Sequence, residues 1–251
     1  MKNFRLIRSQ PGEACDNMVQ DQSLFSRYLE DGIPVFRVYR WRGPAFTYGI
    51  AGHPEEEINL KLCEQDNVGV AQRITGGGVL FHDDELTYSL VCSKDDIGED
   101  KFVFVDYRKI CSFLINFYQS LGLKVGFALE GDNFKKYSVN QELCSAAHEK
   151  YDLVINGKKI GGNAQKRKRA IIFQHGSIPI NVNWELVRRY TPNLPQNILD
   201  CVTTLAQELK VVPSKDILEH KLIAAFSSTF KVKFIEGDVK CYLSYETSLV
   251  E

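Results

Sequence analysis

A cysteine and a lysine stand on either side of one predicted turn in residues 144–180. Asn156-Gly157, flanked by strand-forming residues, is the strongest short-range signal for a two-residue β-hairpin, because both turn positions need φ > 0. Small and polar residues follow Cys144, which favours an accessible loop. Since a nearby cation raises the thiolate fraction of a cysteine, Lys159 is the candidate activating partner of Cys144.

Alternation of side chains across that hairpin assigns its residues to two faces. The predicted core face carries Leu153, Ile155 and Ile160. The opposite face carries Asp152, Val154 and Lys159, next to the bare Gly161-Gly162 backbone. Each reactive residue also has an ordinary interpretation: Cys144 is one of seven cysteines and could be a small buried hydrophobe, and Lys159 could be a solvated strand lysine.

Three consecutive glycines interrupt a strand-forming stretch earlier in the chain. They are Gly76, Gly77 and Gly78, with Arg73 before them and His82 after them. Glycine runs cost backbone entropy and make sense where another molecule approaches the main chain or where the chain bends sharply. The stretch therefore predicts either a ligand-binding loop, with Arg73 as a charged fork and His82 as a polar group, or a glycine-rich hairpin with surface charges.

Two further polar features each have two interpretations. His175, which comes before Gly176 at the end of an apolar strand, is either a satisfied core histidine or a site residue. The basic run Lys166-Arg167-Lys168-Arg169 is either a solvated turn or a docking patch for an acidic protein partner.

Bulk properties exclude several classes of protein. The net charge is -1, so no overall field attracts nucleic acid or a membrane surface. Seven cysteines without a Cys-x-x-Cys pair give no support for a zinc ribbon or a thioredoxin site, and we predict no metal site. The N-terminus lacks an apolar signal core, and no run approaches the ~20 apolar residues that cross a bilayer. We therefore expect a protein of the reducing cytoplasm.

Hydrophobic periodicity predicts an α+β fold. Helices are predicted at residues 16–30, 54–64, 110–121, 183–190, 198–209 and around 218–226. Strands are predicted at residues 4–9, 35–41, 45–48, 68–75, 79–81, 86–91, 124–129, 170–173 and 232–235. We expect one domain over residues 1–251, with a mainly antiparallel sheet, helices packed over it, and a mainly helical C-terminal part at residues 183–251.

Taken together, the glycine and lysine stretches resemble the biotin/lipoate protein ligase and octanoyltransferase superfamily. Arg73-Ile-Thr-Gly-Gly-Gly, followed by Phe-His82-Asp, resembles the acyl-binding loop of the family, and Lys159-Ile-Gly-Gly-Asn-Ala164-Gln resembles its lysine motif. The entry to the first predicted helix and the strands of residues 35–49 resemble its N-terminal part. The resemblance covers most of residues 1–180 and implies a ligase-like catalytic fold.

Details within the superfamily favour the longer, ligase-like octanoyltransferases. Cys144 stands where those proteins carry their cysteine, shortly before Tyr151-Asp-Leu-Val. The shorter octanoyltransferases carry theirs in a Pro-Cys-Gly turn, where this chain reads Thr191-Pro-Asn. The Arg-Asn-Asp of many lipoate ligases and the Gly-Arg-Gly-Arg loop of biotin ligases are missing from the sequence.

The resemblance implies a reaction that needs no cofactor. Cys144 attacks an octanoyl or lipoyl thioester of acyl carrier protein, and Lys159 stabilises the developing oxyanion. A lysine of a lipoyl domain of 2-oxoacid dehydrogenases, or of the glycine-cleavage H protein, then takes the acyl group. The implied substrate-binding residues are Arg73, Thr75, Gly76, Gly77, Gly78, His82, Gly161, Gly162, Ala164 and His175.

Three other functions remain open from the sequence. An ATP-dependent lipoate–protein ligase would use ATP and Mg, and Cys144 would be incidental to it. An amidotransferase would move the acyl group between two carrier proteins and would differ only in its donor. A non-catalytic lipoate- or biotin-binding module would bind its ligand without forming a covalent adduct.

Overall fold

The computed structural model describes residues 1–97, 107–130 and 151–237, so Cys144 and its predicted loop lie outside the described residues. The strands are β1 (Asn3–Arg8), β2 (Val35–Tyr39), β3 (Ala45–Tyr48), β4 (Gly69–Gln72), β5 (Leu80–His82), β6 (Asp84–Ser93), β7 (Gly126–Phe127), β8 (Leu153–Ile155), β9 (Lys158–Lys159), β10 (Gly162–Lys168), β11 (Ile171–Asn181) and β12 (Lys233–Glu236). The helices are α1 (Ala14–Asp31), α2 (Pro54–Glu57), α3 (Leu60–Gln65), α4 (Lys94–Ile97), α5 (Tyr107–Ser120), α6 (Trp184–Tyr190), α7 (Ile198–Cys201), α8 (Leu205–Glu208) and α9 (Lys215–Phe230).

Six strands form the main sheet in the order β10-β11-β6-β2-β1-β12. The pairs from β10 to β2 are antiparallel, whereas β1 pairs in parallel with β2 and with β12. Two three-stranded sheets, β4-β3-β5 and β7-β8-β9, complete the described strands. The expected α+β fold with mainly antiparallel sheets is confirmed, and the assignment of residues 1–251 to one domain stays a prediction.

Helices α5 and α9 cover one face of the main sheet with aromatic side chains. Phe36 of β2 stacks on Phe226 of α9 with ring centroids 4.1 Å apart, and Phe113 of α5 meets Phe226 edge-on at 5.2 Å. All three side chains are fully buried. Aromatic burial of this size supplies much of the stabilisation of a core, so this face is the hydrophobic side of the sheet.

Helix α1 covers the other face of the main sheet, which is apolar at one end and polar at the other. At one end Leu24 and Phe25 of α1 pack on Val91 and Phe173 of the sheet. Towards the other end, buried polar and charged residues replace the apolar ones: Asn17, Asp21, Arg37, Glu85, Thr87, His175 and Ser177. Because buried polar groups need partners, this half of the face is where a binding site is expected.

The predicted hairpin is confirmed with its register. Val154 of β8 lies opposite Lys159 of β9, and the turn residues Asn156 and Gly157 have φ of 50° and 80°. The side chains of Leu153, Ile155 and Ile160 are buried in the apolar cluster under α5 and α9, as the alternation predicted.

Two predicted helices are interrupted, and tertiary contacts explain both breaks. The helix expected over residues 54–64 stops after Glu57, because Ile58 is extended and buried, and Asn59 starts α3 by accepting a hydrogen bond from Leu62. The helix expected over residues 198–209 breaks at residues 202–204. There Val202 bridges to Lys159, and the Thr203 amide donates to the Lys159 carbonyl at 2.9 Å.

Two expectations about strands are corrected. The strand expected at residues 124–129 is limited to β7 and runs into a 3₁₀ turn at Ala128–Glu130. The basic run is not a turn throughout: its first three residues extend β10, and the chain reverses at Arg169, where φ is 57°. Among the described residues, no helix is long and apolar enough to cross a membrane.

Gly161 and Gly162 offer a matched test of backbone constraint. A Cβ on Gly161 would lie 2.1 Å from the Ser177 carbonyl oxygen, at a φ of 78°, whereas no described atom lies within 4 Å of a Cβ on Gly162. We expect Gly161→Ala to lower the free energy of unfolding by about 2 kcal/mol or more. Gly162→Ala should leave it within about 1 kcal/mol of the wild type. Urea denaturation measures both, and equal losses would contradict the structure.

Candidate active site

A cleft of ≈ 300 Å³ opens at the edge of the main sheet, around β10. Its walls come from α1, the β3 strand, the glycine stretch, the β8–β9 hairpin, and the neighbouring strands β10 and β11. An adjoining smaller cavity of ≈ 60 Å³ shares Leu80, Lys159 and Gly162 with it and is lined by Phe81 and Trp184. The site therefore gathers residues from distant parts of the chain.

Lys159 lines this cleft and is buried. Its Nζ lies 2.9 Å from Asp152 Oδ2, and the two side chains are 5% and 7% exposed. The hairpin register places both on the same face, and Val202 and Thr203 hold the Lys159 backbone from the other side. The interpretation of Lys159 as a solvated strand lysine is therefore wrong.

The glycine stretch forms a loop between β4 and β5 that Arg73 braces. The Arg73 guanidinium donates to the Gly76 and Gly78 carbonyls at 3.2 and 2.8 Å, and to the Thr47 carbonyl at 2.8 Å. Gly49 lies under the loop, where a Cβ would come within 2.2 Å of the Gly77 carbonyl oxygen. These contacts of Arg73 are with the loop's own backbone and with β3, and its predicted role as a charged fork for a ligand stays a prediction.

His82 belongs to a buried polar cluster around Glu85. The Glu85 carboxylate accepts from His82 Nδ1 at 2.9 Å, from Trp41 Nε1 at 2.9 Å and from Ser177 Oγ at 2.6 Å. The His82 ring also stacks on Trp41 with centroids 3.9 Å apart. Burial raises the pKa of Glu85, but the charge of His82 and these hydrogen bonds outweigh it, so the pKa lies below its usual value.

His175 is both a satisfied buried histidine and a residue of the cleft. Its Nε2 lies 2.8 Å from Thr75 Oγ1, and its Nδ1 lies 3.3 Å from Asp21 Oδ2. Burial lowers the pKa of His175 below its usual value, although Asp21 opposes this, so the neutral ring predominates at neutral pH. Burial raises the pKa of Asp21, but Arg37 at 2.7 Å and His175 lower it below its usual value.

The structure brings most of the predicted site residues together. The cleft is lined by Arg73, Gly76, Gly77, His82, Lys159, Gly162, Ala164 and His175. Thr75 is hydrogen-bonded to His175 and Gly78 to Arg73, and Gly161 lines the smaller cavity. Cys144 lies outside the described residues. Whether these residues carry the chemistry stays a prediction.

Several residues of the site were not predicted. They are Asp21, Trp41, Glu85, Tyr107, Asp152 and Asn163. Asp152 could have been predicted from the sequence, because the alternation of side chains already placed it on the same face of the hairpin as Lys159. Asp21 had no such signal, since its partners Arg37 and His175 come from other elements. Glu85 lies only three residues from the predicted His82, which was a signal that the prediction did not use.

Double-mutant cycles can compare the buried Lys159–Asp152 ion pair with an ion pair at the surface. We expect Lys159→Met and Asp152→Asn each to lower the free energy of unfolding by about 3 kcal/mol, because each change disrupts a buried ion pair. The double variant should lose less than the sum, with a coupling of about 2 kcal/mol. The surface pair Arg189–Asp66, at 2.8 Å, should couple by less than about 1 kcal/mol. Additive losses at the buried pair would contradict this assignment.

The family model described as lipoyl protein ligase A/B catalytic domain matches residues 13–227. A curated relative from Clostridioides difficile (strain 630), named octanoyltransferase LipM, is 30% identical over 260 residues, which cover 100% of this chain and 94% of the relative.

Solved structures share the fold at lower identity. A lipoate-protein ligase A bound with ATP has a TM-score of 0.74 at 22% identity, covering 94% of this chain and 89% of that one. A bipartite lipoate protein ligase from Thermoplasma acidophilum, described with its E2 lipoyl domain, has a TM-score of 0.73 at 21% identity, covering 94% and 87%. The match over residues 13–227 and the full-length relative together show that the chain belongs to the lipoyl protein ligase A/B catalytic domain family.

Proposed function

We propose that this enzyme is an octanoyltransferase that moves an octanoyl group from acyl carrier protein to a lysine of a lipoyl domain or of the glycine-cleavage H protein. The observation that carries the proposal is the buried Lys159 ammonium, held by Asp152 at the wall of a cleft beside a glycine loop. The name of the full-length relative, octanoyltransferase, supports the same activity. The enzyme works without a cofactor in this proposal.

The proposed reaction has two acyl transfers. The Cys144 thiolate attacks the carbonyl of the octanoyl thioester, and the carrier thiol leaves after taking a proton. The amine of the acceptor lysine then attacks the new thioester, loses its proton, and releases the Cys144 thiol with formation of an amide. Thioester exchange is nearly balanced and amide formation is favourable, so the sequence of steps requires no ATP.

Lys159 is proposed to stabilise the negative charge that develops on the carbonyl oxygen in both steps. An ammonium that is already held in a low-dielectric wall reorganises little when that charge appears. Asp152 keeps the ammonium in place, 2.9 Å away. The acyl chain is proposed to lie against the apolar part of the lining, at Met18, Trp41 and Leu80, with about 0.8 kcal/mol for each buried methylene.

The acyl-enzyme gives the decisive test of this proposal. When the protein is mixed with octanoyl-acyl carrier protein, intact-mass spectrometry should show the gain of one octanoyl group, because the thioester accumulates without an acceptor. Cys144→Ser should abolish this gain of a thioester, and Lys159→Met should slow its formation about 100-fold or more. Hydroxylamine should remove the adduct.

Cys15, which is exposed on α1, provides the matched control. Cys15→Ser should acquire the octanoyl group like the wild type. If Cys144→Ala keeps full activity with ATP and lipoate, the enzyme is an ATP-dependent ligase and the transferase proposal is wrong. Ligand binding without any covalent adduct would instead favour a non-catalytic binding module. Equal activity with an acylated lipoyl domain as the donor would show that the enzyme is also an amidotransferase.

The tip of the β10–β11 hairpin is proposed to dock the carrier protein. Arg167, Lys168 and Arg169 are exposed there, and Lys166 lies over the Phe25 ring at 5.5 Å. The same strand lines the cleft from Gly162 to Gln165, so Lys168 lies only about 10 Å along the strand from the site, at 3.3 Å per residue. An acidic carrier that met these charges would be delivered beside the cleft.

Charge reversal at the tip tests the docking surface separately from the chemistry. Lys168→Glu/Arg169→Glu should lower kcat/KM with octanoyl-acyl carrier protein about tenfold or more at low salt, and added salt should shrink the difference. Transfer from the small donor octanoyl-pantetheine should be unchanged. Lys61→Glu, an exposed substitution on α3, is the control. A uniform loss with both donors would contradict docking at the tip.

A further inference from the structure

Two chains of buried hydrogen bonds with the same chemistry meet at the glycine loop. In the first, Glu85 Oε1 lies 2.9 Å from His82 Nδ1, and His82 Nε2 lies 2.6 Å from Thr47 Oγ1. In the second, Asp21 Oδ2 lies 3.3 Å from His175 Nδ1, and His175 Nε2 lies 2.8 Å from Thr75 Oγ1. Each series of hydrogen bonds thus runs from a carboxylate through a histidine to a threonine. We name the two series the Glu85 relay and the Asp21 relay.

The carboxylates fix the direction of the first hydrogen bond in each relay. An ionised carboxylate only accepts, so Nδ1 of each histidine carries the proton and donates it. In a neutral ring Nε2 is then an acceptor, and the threonine hydroxyl donates to it. Thr47 Oγ1 can still accept, which fits the Arg73 Nη1 donor at 2.9 Å.

Both relays end on the elements that hold the glycine loop. Thr75 belongs to the loop, while Thr47 is bound to Arg73, whose guanidinium also donates to the Gly76 and Gly78 carbonyls. The remote ends lie on β6, through Glu85, and on α1, through Asp21. The loop backbone that lines the cleft is therefore tied to two rigid elements by two separate paths.

Neither histidine has a ring nitrogen left for proton transfer to a substrate in this arrangement. Both nitrogens of each ring have a partner on the protein, and both rings are almost fully buried, at 3% exposure for His82 and 6% for His175. In this arrangement the two histidines hold the loop in place and do not act as an acid or a base.

We propose that the Glu85 and Asp21 relays position the glycine loop for acyl transfer, with His82 and His175 as positioning residues that donate through Nδ1. The assignment of a catalytic effect rests on the proposed octanoyl transfer, but the tautomers do not. Displacing a loop by about 1 Å next to the reacting carbonyl is enough to cost about 100-fold in rate. The relays would therefore affect kcat more than the KM of the donor.

Nitrogen NMR of the protein labelled at histidine tests the tautomers without any activity. Between pH 7 and 8, the resonances of His82 and His175, assigned with His82→Gln and His175→Gln, should show a protonated Nδ1 on both rings and a bare Nε2 on His175. A bare Nδ1 on either ring, or a doubly protonated His175, would overturn the proposal in this range, whether or not the enzyme transfers octanoyl groups.

Threonine variants test the effect on the reaction. Thr75→Val and Thr47→Val should each lower kcat about 10- to 100-fold, with less than about threefold change in the KM of octanoyl-acyl carrier protein, and Thr75→Ser should restore most of the rate. Thr191→Val is the matched control, because it also loses a buried hydroxyl hydrogen bond, to the Val187 carbonyl at 2.6 Å, away from the cleft. Losses at Thr75 and Thr47 no larger than at Thr191 would overturn the positioning role.

Discussion

Burying a carboxylate removes it from water, and only charged or hydrogen-bonding partners offset that cost. Among the residues that the structure describes, three buried carboxylates surround the cleft, Asp21, Glu85 and Asp152, and each is paired with a basic side chain. The requirement to satisfy Asp21 and Glu85 ties α1 and β6 to β11, whereas the Asp152–Lys159 pair stays within the β8–β9 hairpin. Because folding lowers the pKa of Asp21 and Glu85, both stabilise the folded state above their usual pKa of about 4 and lose that contribution as the pH falls below it.

The position of Lys159 shows how local and tertiary constraints combine. The Asn156-Gly157 turn sets the register and therefore the face on which the ammonium lies. The break between α7 and α8 then lets Val202 and Thr203 pair with the Lys159 backbone. A short two-residue strand alone would hold a lysine poorly, so the irregular C-terminal segment is part of the site's support.

The parts of the fold that are governed by local rules could be predicted from the sequence. The hairpin register follows from period-two alternation and turn chemistry, and α5 follows from apolar residues at helical spacing. The prediction of one continuous helix over residues 54–64 was wrong because the burial of Ile58 overrides local helix propensity. Two partners of Glu85, Trp41 and Ser177, are 44 and 92 residues away, and no local pattern records such distances, although His82 lies only three residues away. The resemblance identified the family, while the arrangement of partners around the cleft came only from the three-dimensional structure.

The parallel pairing of β1 with β12 has a consequence for how the protein is made. Asn3 lies beside Lys233, so the strand that borders β1 on its outer side is synthesised last among the described elements. Until β12 has been synthesised, the outer edge of β1 therefore has no partner for its amides and carbonyls. Open edges of this kind recruit other strands, and long-range pairing forms slowly. Nascent chains of this enzyme should thus be most vulnerable to aggregation, and most dependent on chaperones, just before residue 236 emerges.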